Sequence, residues 1–396
     1  MMKKVNIIGY LDKSYPNKRN IINCSEHYRY KQVRSLNDFF KGFFIIARKF
    51  KISFSWYKMR KYFYLFCDFN LNQHFKQVDL IHFFNTINLG KTPSVISFEG
   101  TLPIYHVIDD PKKINISNFK KVDKALKYLA SPSCHKIIAI SNYAYQLQEE
   151  LLNQFPERKE AILNKMTVLY PPQKLLIQDL SEKTTSASIN FVFAGRNFYR
   201  KGGYETVKAF VKLTEHYPDK LPFTLHLVGD LSLSNDETSA YNNRHEDEIR
   251  QLIKENEWIK HDTQLENAQL LALFKASQVG LLPTSKDTFG YSVLEMQASG
   301  CPVITTDIQA LSEINDNRRG WLINMPQTRL RHALNETKTE QLQWSESLQV
   351  QLEAVLLNLL NHPEEITEKA TRALCYIDEI HSPAKYGQAL DQIYQL

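Results

Sequence analysis

The stretch Pro283-Thr284-Ser285-Lys286-Asp287-Thr288-Phe289-Gly290-Tyr291-Ser292-Val293-Leu294-Glu295-Met296-Gln297-Ala298-Ser299-Gly300-Cys301-Pro302-Val303-Ile304 carries the architecture in miniature. An apolar run ends at Pro283, and a loop containing Gly290 follows. A short helix is predicted to start near Ser292 and stop at Gly300, and Cys301-Pro302 leads into the next strand. Glycine just past a helix end, with proline soon after, is a stop signal. Strand, loop, helix and strand in so few residues describe one step of a parallel α/β layer.

The same alternation extends outward in both directions. Candidate strands are Val5–Ile8, Leu80–Phe84, Ser94–Phe98, Lys136–Ile140, Thr167–Tyr170, Asn190–Ala194, Thr224–Val228, Val279–Pro283 and Val303–Thr305. Helical patterns lie between many of them, including Tyr143–Leu152, Tyr204–His216, Glu246–Glu255 and Ala268–Ala276. Such alternation predicts parallel sheets with helices on both faces. At 396 residues the chain has room for two domains. Tyr170-Pro171-Pro172 and the aperiodic polar run to Ser188 mark the boundary.

The loop after Pro283 lies at the carboxyl end of a strand and the amino end of a helix. There, α/β sheets bind ligands, and free backbone N–H groups with the helix dipole attract phosphate. Asp287 and Glu295 flank it, and carboxylates accept hydrogen bonds from sugar and ribose hydroxyls. Plainer readings stand beside this one: Ser292 to Glu295 fits a capping box, and Asp287 fits a solvated loop acid. A second segment, Asn190-Phe191-Val192-Phe193-Ala194-Gly195-Arg196-Asn197-Phe198-Tyr199-Arg200-Lys201-Gly202-Gly203, reads as strand, basic loop and helix start. Arg196, as a fork of donors, and Lys201, as a point charge, could both reach a diphosphate; they could equally be two surface cations.

Together the two segments resemble family-4 retaining glycosyltransferases of the GT-B fold. In that family two acids with seven residues between them bracket a Phe-Gly, before a small-residue helix and Gly-x-Pro-Val-Ile, and a Gly-Arg…Lys-Gly segment neutralises the donor pyrophosphate. The first acid here is Asp287 rather than the usual Glu, and Arg200 has no counterpart. Leu225-His226-Leu227-Val228-Gly229-Asp230 resembles the family's middle nucleotide-site strand, with His226 expected to be a sheet side chain. Ser141-Asn142, Leu311-Ser312-Glu313-Ile314 and Gly320-Trp321-Leu322-Ile323 match further stretches. The resemblance runs from about 190 to 325, thins over 80 to 172, and is weak before 80.

On the acceptor side, Ser94-Val95-Ile96-Ser97-Phe98-Glu99-Gly100-Thr101 is a buried strand with a carboxylate at its tip, where relatives often carry His. Desolvation in a closing cleft would suit Glu99 to contact with the sugar or to proton handling; a loop acid bonded to backbone is the alternative. His106 is the poorer candidate. Between Arg29 and Lys61 ten Lys/Arg stand against one acid, Asp38, among eight Phe, Trp and Tyr from Phe39 to Tyr57. Such a segment could lie on an anionic membrane, or be a helix with an ordinary core face. No motif for nucleic acid is present.

The five cysteines, Cys24, Cys67, Cys134, Cys301 and Cys375, form no CxxC and suggest neither a disulfide framework nor a zinc site. A reducing compartment fits them. The first residues are too short an apolar run for a signal peptide, and no stretch approaches a spanning helix. The expected fold is α/β, GT-B, with two doubly wound Rossmann-like parallel-sheet domains facing across a cleft. The expected boundaries are an acceptor-side domain over 1–172, a hinge over 173–188 and a nucleotide-sugar domain over 189–380. The resemblance implies that a helix over 381–396 packs back on the first domain.

The expected activity is transfer of a sugar, with retention, from a nucleotide diphosphate-sugar to a hydroxyl acceptor, in bacterial surface polysaccharide or glycolipid synthesis. Location would be cytoplasmic, peripheral on the inner membrane face through 29–61. Glu99, Asp287, Arg196 and Lys201 are the catalytic candidates. Arg196, Lys201, Gly229, Asp287, Phe289, Gly290, Tyr291, Ser292 and Glu295 are the donor-binding candidates. No Asp-x-Asp occurs, so no metal is expected and no cofactor beyond the co-substrate. A nucleotide-sugar epimerase or phosphorylase on the same fold, and a non-catalytic scaffold partner of another transferase, remain open. The scaffold reading draws on Asp287 and Glu99, the two departures from the family pattern. A dinucleotide dehydrogenase is disfavoured, because no Gly-x-Gly-x-x-Gly follows the first strand.

Overall fold

The computed structural model describes residues 5–34, 78–104, 106–110, 112–183, 188–218, 223–232, 241 and 243–395, with backbone alone at 69–70, 108–109 and 243. The chain divides into two compact units, Met1–Pro172 with His381–Leu396, and Gln173–Ile380.

The first unit is built on six strands: β1 Ile7–Tyr10, β2 Arg29–Gln32, β3 Leu80–Phe84, β4 Ser94–Phe98, β5 Cys134–Ala139 and β6 Met166–Val168. They pair in the order β6-β5-β4-β3-β1-β2, every pair parallel. β4 is buried throughout, as expected for a parallel strand covered on both faces. β1 begins two residues later than its apolar run. The Asp79 carboxylate takes the N–H groups of Asn6 and Ile7, at 3.0 and 3.1 Å, just ahead of the ladder. β2 (Arg-Tyr-Lys-Gln) is a mostly exposed edge strand without an apolar pattern.

The second unit's strands are β7 Ile189–Asn197, β8 Phe223–Asp230, β9 Ile259–Asp262, β10 Val279–Leu282, β11 Val303–Thr306 and β12 Trp321–Ile323. Their order is β9-β8-β7-β10-β11-β12, again all parallel. The order reverses between β7 and β10, the switch point at which doubly wound sheets hold ligands beyond their carboxyl ends. Helix α1 (Gly203–His216) follows β7 and helix α2 (Tyr291–Ala298) follows β10. The core is aromatic, with Phe191, Phe193, Phe210 and Phe274 fully buried.

Residues 173–183 pack on the second unit. Leu176 N–H donates to Ala298 O at 2.8 Å, Ile177 is buried, and the Lys183 ammonium donates to Ser277 O, Ser299 O and Phe274 O. The last helix, α3 (Pro383–Tyr394), belongs to the first unit. Its Tyr386, Leu390 and Tyr394 share a core with Val5, Ile8, Leu80, Val95 and Ile138. The four described cysteines, Cys24, Cys134, Cys301 and Cys375, are free thiols. Among the described residues no helix is long and apolar enough to cross a membrane.

Candidate functional site

The loops leaving β7 and β10 form the candidate site. The β7–β8 register slips between Ala194 and Asn197, and Arg196 lies exposed in the slip. It forms no hydrogen bond or ion pair with another described residue. A turn follows, in which Lys201 N–H donates to Asn197 O and Gly202 N–H to Tyr199 O, both at 3.0 Å. Phe198 and Tyr199 bury their rings beneath it. Gly202 has φ +82°, and a Cβ there would fall 2.2 Å from Pro283 O. Glycine is therefore what lets this turn touch the end of β10.

Arg200 O joins the two loops, accepting from Ser285 N–H and from the Thr284 hydroxyl, each at 3.0 Å. Lys201 is thereby delivered to Asp287, with its Nζ 2.5 Å from Oδ2. Both side chains are mostly buried, at 16% and 18% exposure, so water screens the pair weakly. The other carboxylate oxygen accepts from Gly290 N–H at 3.0 Å and Phe289 N–H at 3.3 Å. Asp287 N–H donates to Gln309 Oε1 at 2.7 Å.

Gly290, at φ +92°, is the N-cap of α2. The capping box over Ser292–Glu295 is not formed. The left-handed glycine starts the helix at Tyr291, so Ser292 falls in the first turn and Glu295 in the second. Both are half-buried. Val293 N–H donates to Gly290 O at 2.9 Å, and the first-turn N–H groups of α2 point along its amino end. Phe289's ring is in the core, 5.0 Å from that of Tyr291, which leaves its amide as its polar contribution to the loop. Gly229, at the end of β8, is buried, and its carbonyl accepts from His261 Nε2 at 2.8 Å. His226 is a sheet side chain, 2.7 Å from Asp262 on the neighbouring strand.

Lys201, Asp287, Phe289, Gly290, Tyr291 and Ser292 are thus brought together by two loops of one unit, with Arg196 at the end of β7 just ahead of the turn that carries Lys201. Sequence reasoning missed Gln309, which reaches Asp287 from the far side of β11 and lies in no recognisable motif. It also missed the Arg200 carbonyl, since a backbone role leaves no side-chain signal.

Glu99 belongs to the first unit, just past β4. Asn85 holds it reciprocally. Asn85 Nδ2 donates to Glu99 Oε1 at 3.0 Å, and Glu99 N–H donates to Asn85 Oδ1 at 3.2 Å. His106 is buried, which pushes its pKa down. Of the basic aromatic segment, Arg29, Lys31 and Arg34 are exposed at and just after β2, and residues 35–61 lie outside the described residues.

Residues 188–336 match the family model described as Glycosyl transferases group 1. The match covers that part of the second unit. Its limits enclose β7 to β12 and every residue of the two loops. Over 259 residues, 62% of this chain, the sequence is 25% identical to D-inositol 3-phosphate glycosyltransferase of Pseudarthrobacter chlorophenolicus. The match spans 53% of that relative, about half its length. Among solved structures, a glycosyltransferase from Rickettsia africae superimposes with a TM-score of 0.58 at 17% identity, over 99% of this chain and 98% of that one. Anabaena HepE, solved with UDP and glucose, gives 0.54 at 12% identity, over 98% and 99%. At these identities the likeness fixes the fold, which is GT-B.

Proposed function

We propose that the protein is a glycosyltransferase that moves a sugar from a nucleotide diphosphate-sugar to a hydroxyl acceptor. The observation that carries this reading is the Lys201 ammonium held 2.5 Å from Asp287 at the sheet's switch point, beside the amino end of α2. A cation and the amino end of a helix meeting where the strand order reverses suit a diphosphate. In the transfer, the bond from the anomeric carbon to the diphosphate oxygen breaks and one to the acceptor oxygen forms. Lys201, Arg196 and the first-turn amides of α2 would stabilise the charge left on the diphosphate, the largest contribution in reactions of this kind. Glu295 and Asp287 would meet hydroxyls of the ribose and sugar, and Gly229 would let the nucleotide approach β8. Glu99 is assigned to the acceptor side, where it could take the acceptor's proton.

Retention at the anomeric carbon, a role in bacterial surface polysaccharide or glycolipid synthesis, and peripheral attachment to the inner membrane face through residues 29–61 belong to the same proposal. UDP is the first nucleotide to test, given the ligand in HepE. The test is nucleotide release by the purified protein from UDP-, GDP- and ADP-sugars offered with a panel of sugar and glycolipid acceptors. Release coupled to a new glycoside supports the reading, and NMR of the product's anomeric signal tests retention. No turnover of any donor, with nucleotide binding intact, would favour a scaffold instead. One observation favours that second reading: both carboxylate oxygens of Asp287 already bond to its own loop and to Lys201.

A further inference from the structure

Gln309 is a residue under strain with a polar side chain aimed at the site. It follows β11, is 2% exposed and has φ +47°. The left-handed region is costly for any residue with a Cβ and persists where the surroundings over-determine it. Its N–H donates to Arg331 O at 2.8 Å. Arg331 is itself left-handed at φ +59°, and its guanidinium is fixed by Glu313 at 2.8 Å and Ser312 at 3.3 Å. This bracing holds the side chain against the β10 loop, where Gln309 Oε1 accepts Asp287 N–H at 2.7 Å.

We propose that Gln309 is a positioning residue that sets the affinity of the site for the diphosphate group, acting through Asp287 on Lys201. The chain of contacts is short. Gln309 fixes the backbone at Asp287. That backbone aims the carboxylate so that one oxygen closes the loop on Gly290 and the other holds the Lys201 ammonium. Without the Gln309 acceptor, the Asp287 N–H is left to water and the loop gains freedom where the ammonium must be placed. The inference rests on the proposed reading of this site as a diphosphate site.

The strain makes the effect separable from ordinary destabilisation. In Gln309→Gly the left-handed conformation costs little, which offsets part of the stability lost with the buried side chain. Gln309→Met keeps the strain and approximate volume and removes the acceptor. Isothermal titration of each protein with UDP, GDP and ADP, and with the matching nucleosides, reads the outcome. Both variants should bind the nucleoside diphosphate about tenfold more weakly and the nucleoside as wild type does. In a Lys201→Met background, Gln309→Met should produce no further loss, since the residues act in series. Wild-type affinity for the diphosphate in both single variants would overturn this inference alone. Equal losses for nucleoside and diphosphate would overturn it as well, by showing general loosening. Failure of the wild type to bind any of the three nucleotides would overturn the functional reading and this inference with it.

Discussion

At the scale of single residues, Lys201 and Asp287 are the informative pair, because each has a different consequence when changed. Lys201→Met removes the cation and leaves the loop bonds of Asp287 in place. Donor turnover should fall about a hundredfold with little loss of melting temperature, measured by steady-state kinetics and thermal shift on one preparation. Asp287→Asn keeps an oxygen for Gly290 N–H and Phe289 N–H but loses the charge facing Lys201. Wild-type turnover in the Lys201→Met variant would remove Lys201 from the chemistry. Part of this pair was legible in the sequence. Two acids around Gly290 marked one loop and two cations after Gly195 the other, and the geometry brings Lys201 onto Asp287 across 86 positions of sequence. What the sequence could not show was the ordering. Whether Asp287 faces a ligand or its own loop depends on Gln309, whose contribution comes from an unusual φ rather than from a motif.

At the scale of elements, the interior of both sheets was readable, and of the four edges β6 alone was. Buried parallel strands such as β4, β10 and β11 are buried at every position and carry only small polar residues among the apolar ones. The edges β2 and β9 carry polar residues among few apolar ones, and β12 spans three residues, so none gives a period. The start of α2 was misplaced for a related reason. A left-handed glycine can end a loop one residue ahead of the first helical position, and Ser292 imitates a cap. Gly290→Ala tests that glycine. The strain at φ +92° and the approach to Leu311 should cost about 1–2 kcal/mol or more, read by urea denaturation. Lys183→Met tests how the 173–183 segment is secured. Burial lowers the Lys183 pKa, yet its ammonium serves carbonyls at the ends of two helices. Its loss should cost about 1–3 kcal/mol in the same assay, and an unchanged midpoint would show the contacts to be incidental.

At the scale of the whole molecule, the chain's end completes the unit formed by its beginning. Tyr394 of α3 places its hydroxyl 2.6 Å from His82 Nδ1, and His82 Nε2 lies 2.7 Å from the Ser97 hydroxyl. Burial pushes the His82 pKa down to about 3, so the ring is neutral when folded and takes a proton near pH 6.5 when unfolded. The unfolded chain thus binds more protons between these values. The stability from a neutral His82 is complete above about pH 6.5 and declines as pH falls toward 3, by up to ~1.4 kcal/mol per unit. Denaturation midpoints across that range should show the slope, and His82→Gln should lose its share of it. Removing residues 382–396 should lower the calorimetric transition of the first unit and spare that of the second. A single unchanged transition would contradict the assignment of α3 to the first core.

The proposed diphosphate site lies in the two loops of the second unit. Equilibrium binding of UDP, GDP and ADP to wild type and Lys201→Met tests it most directly. At least one nucleotide should bind the wild type and bind the variant about tenfold or more weakly. Equal affinity in both proteins, or no binding by the wild type, would contradict it.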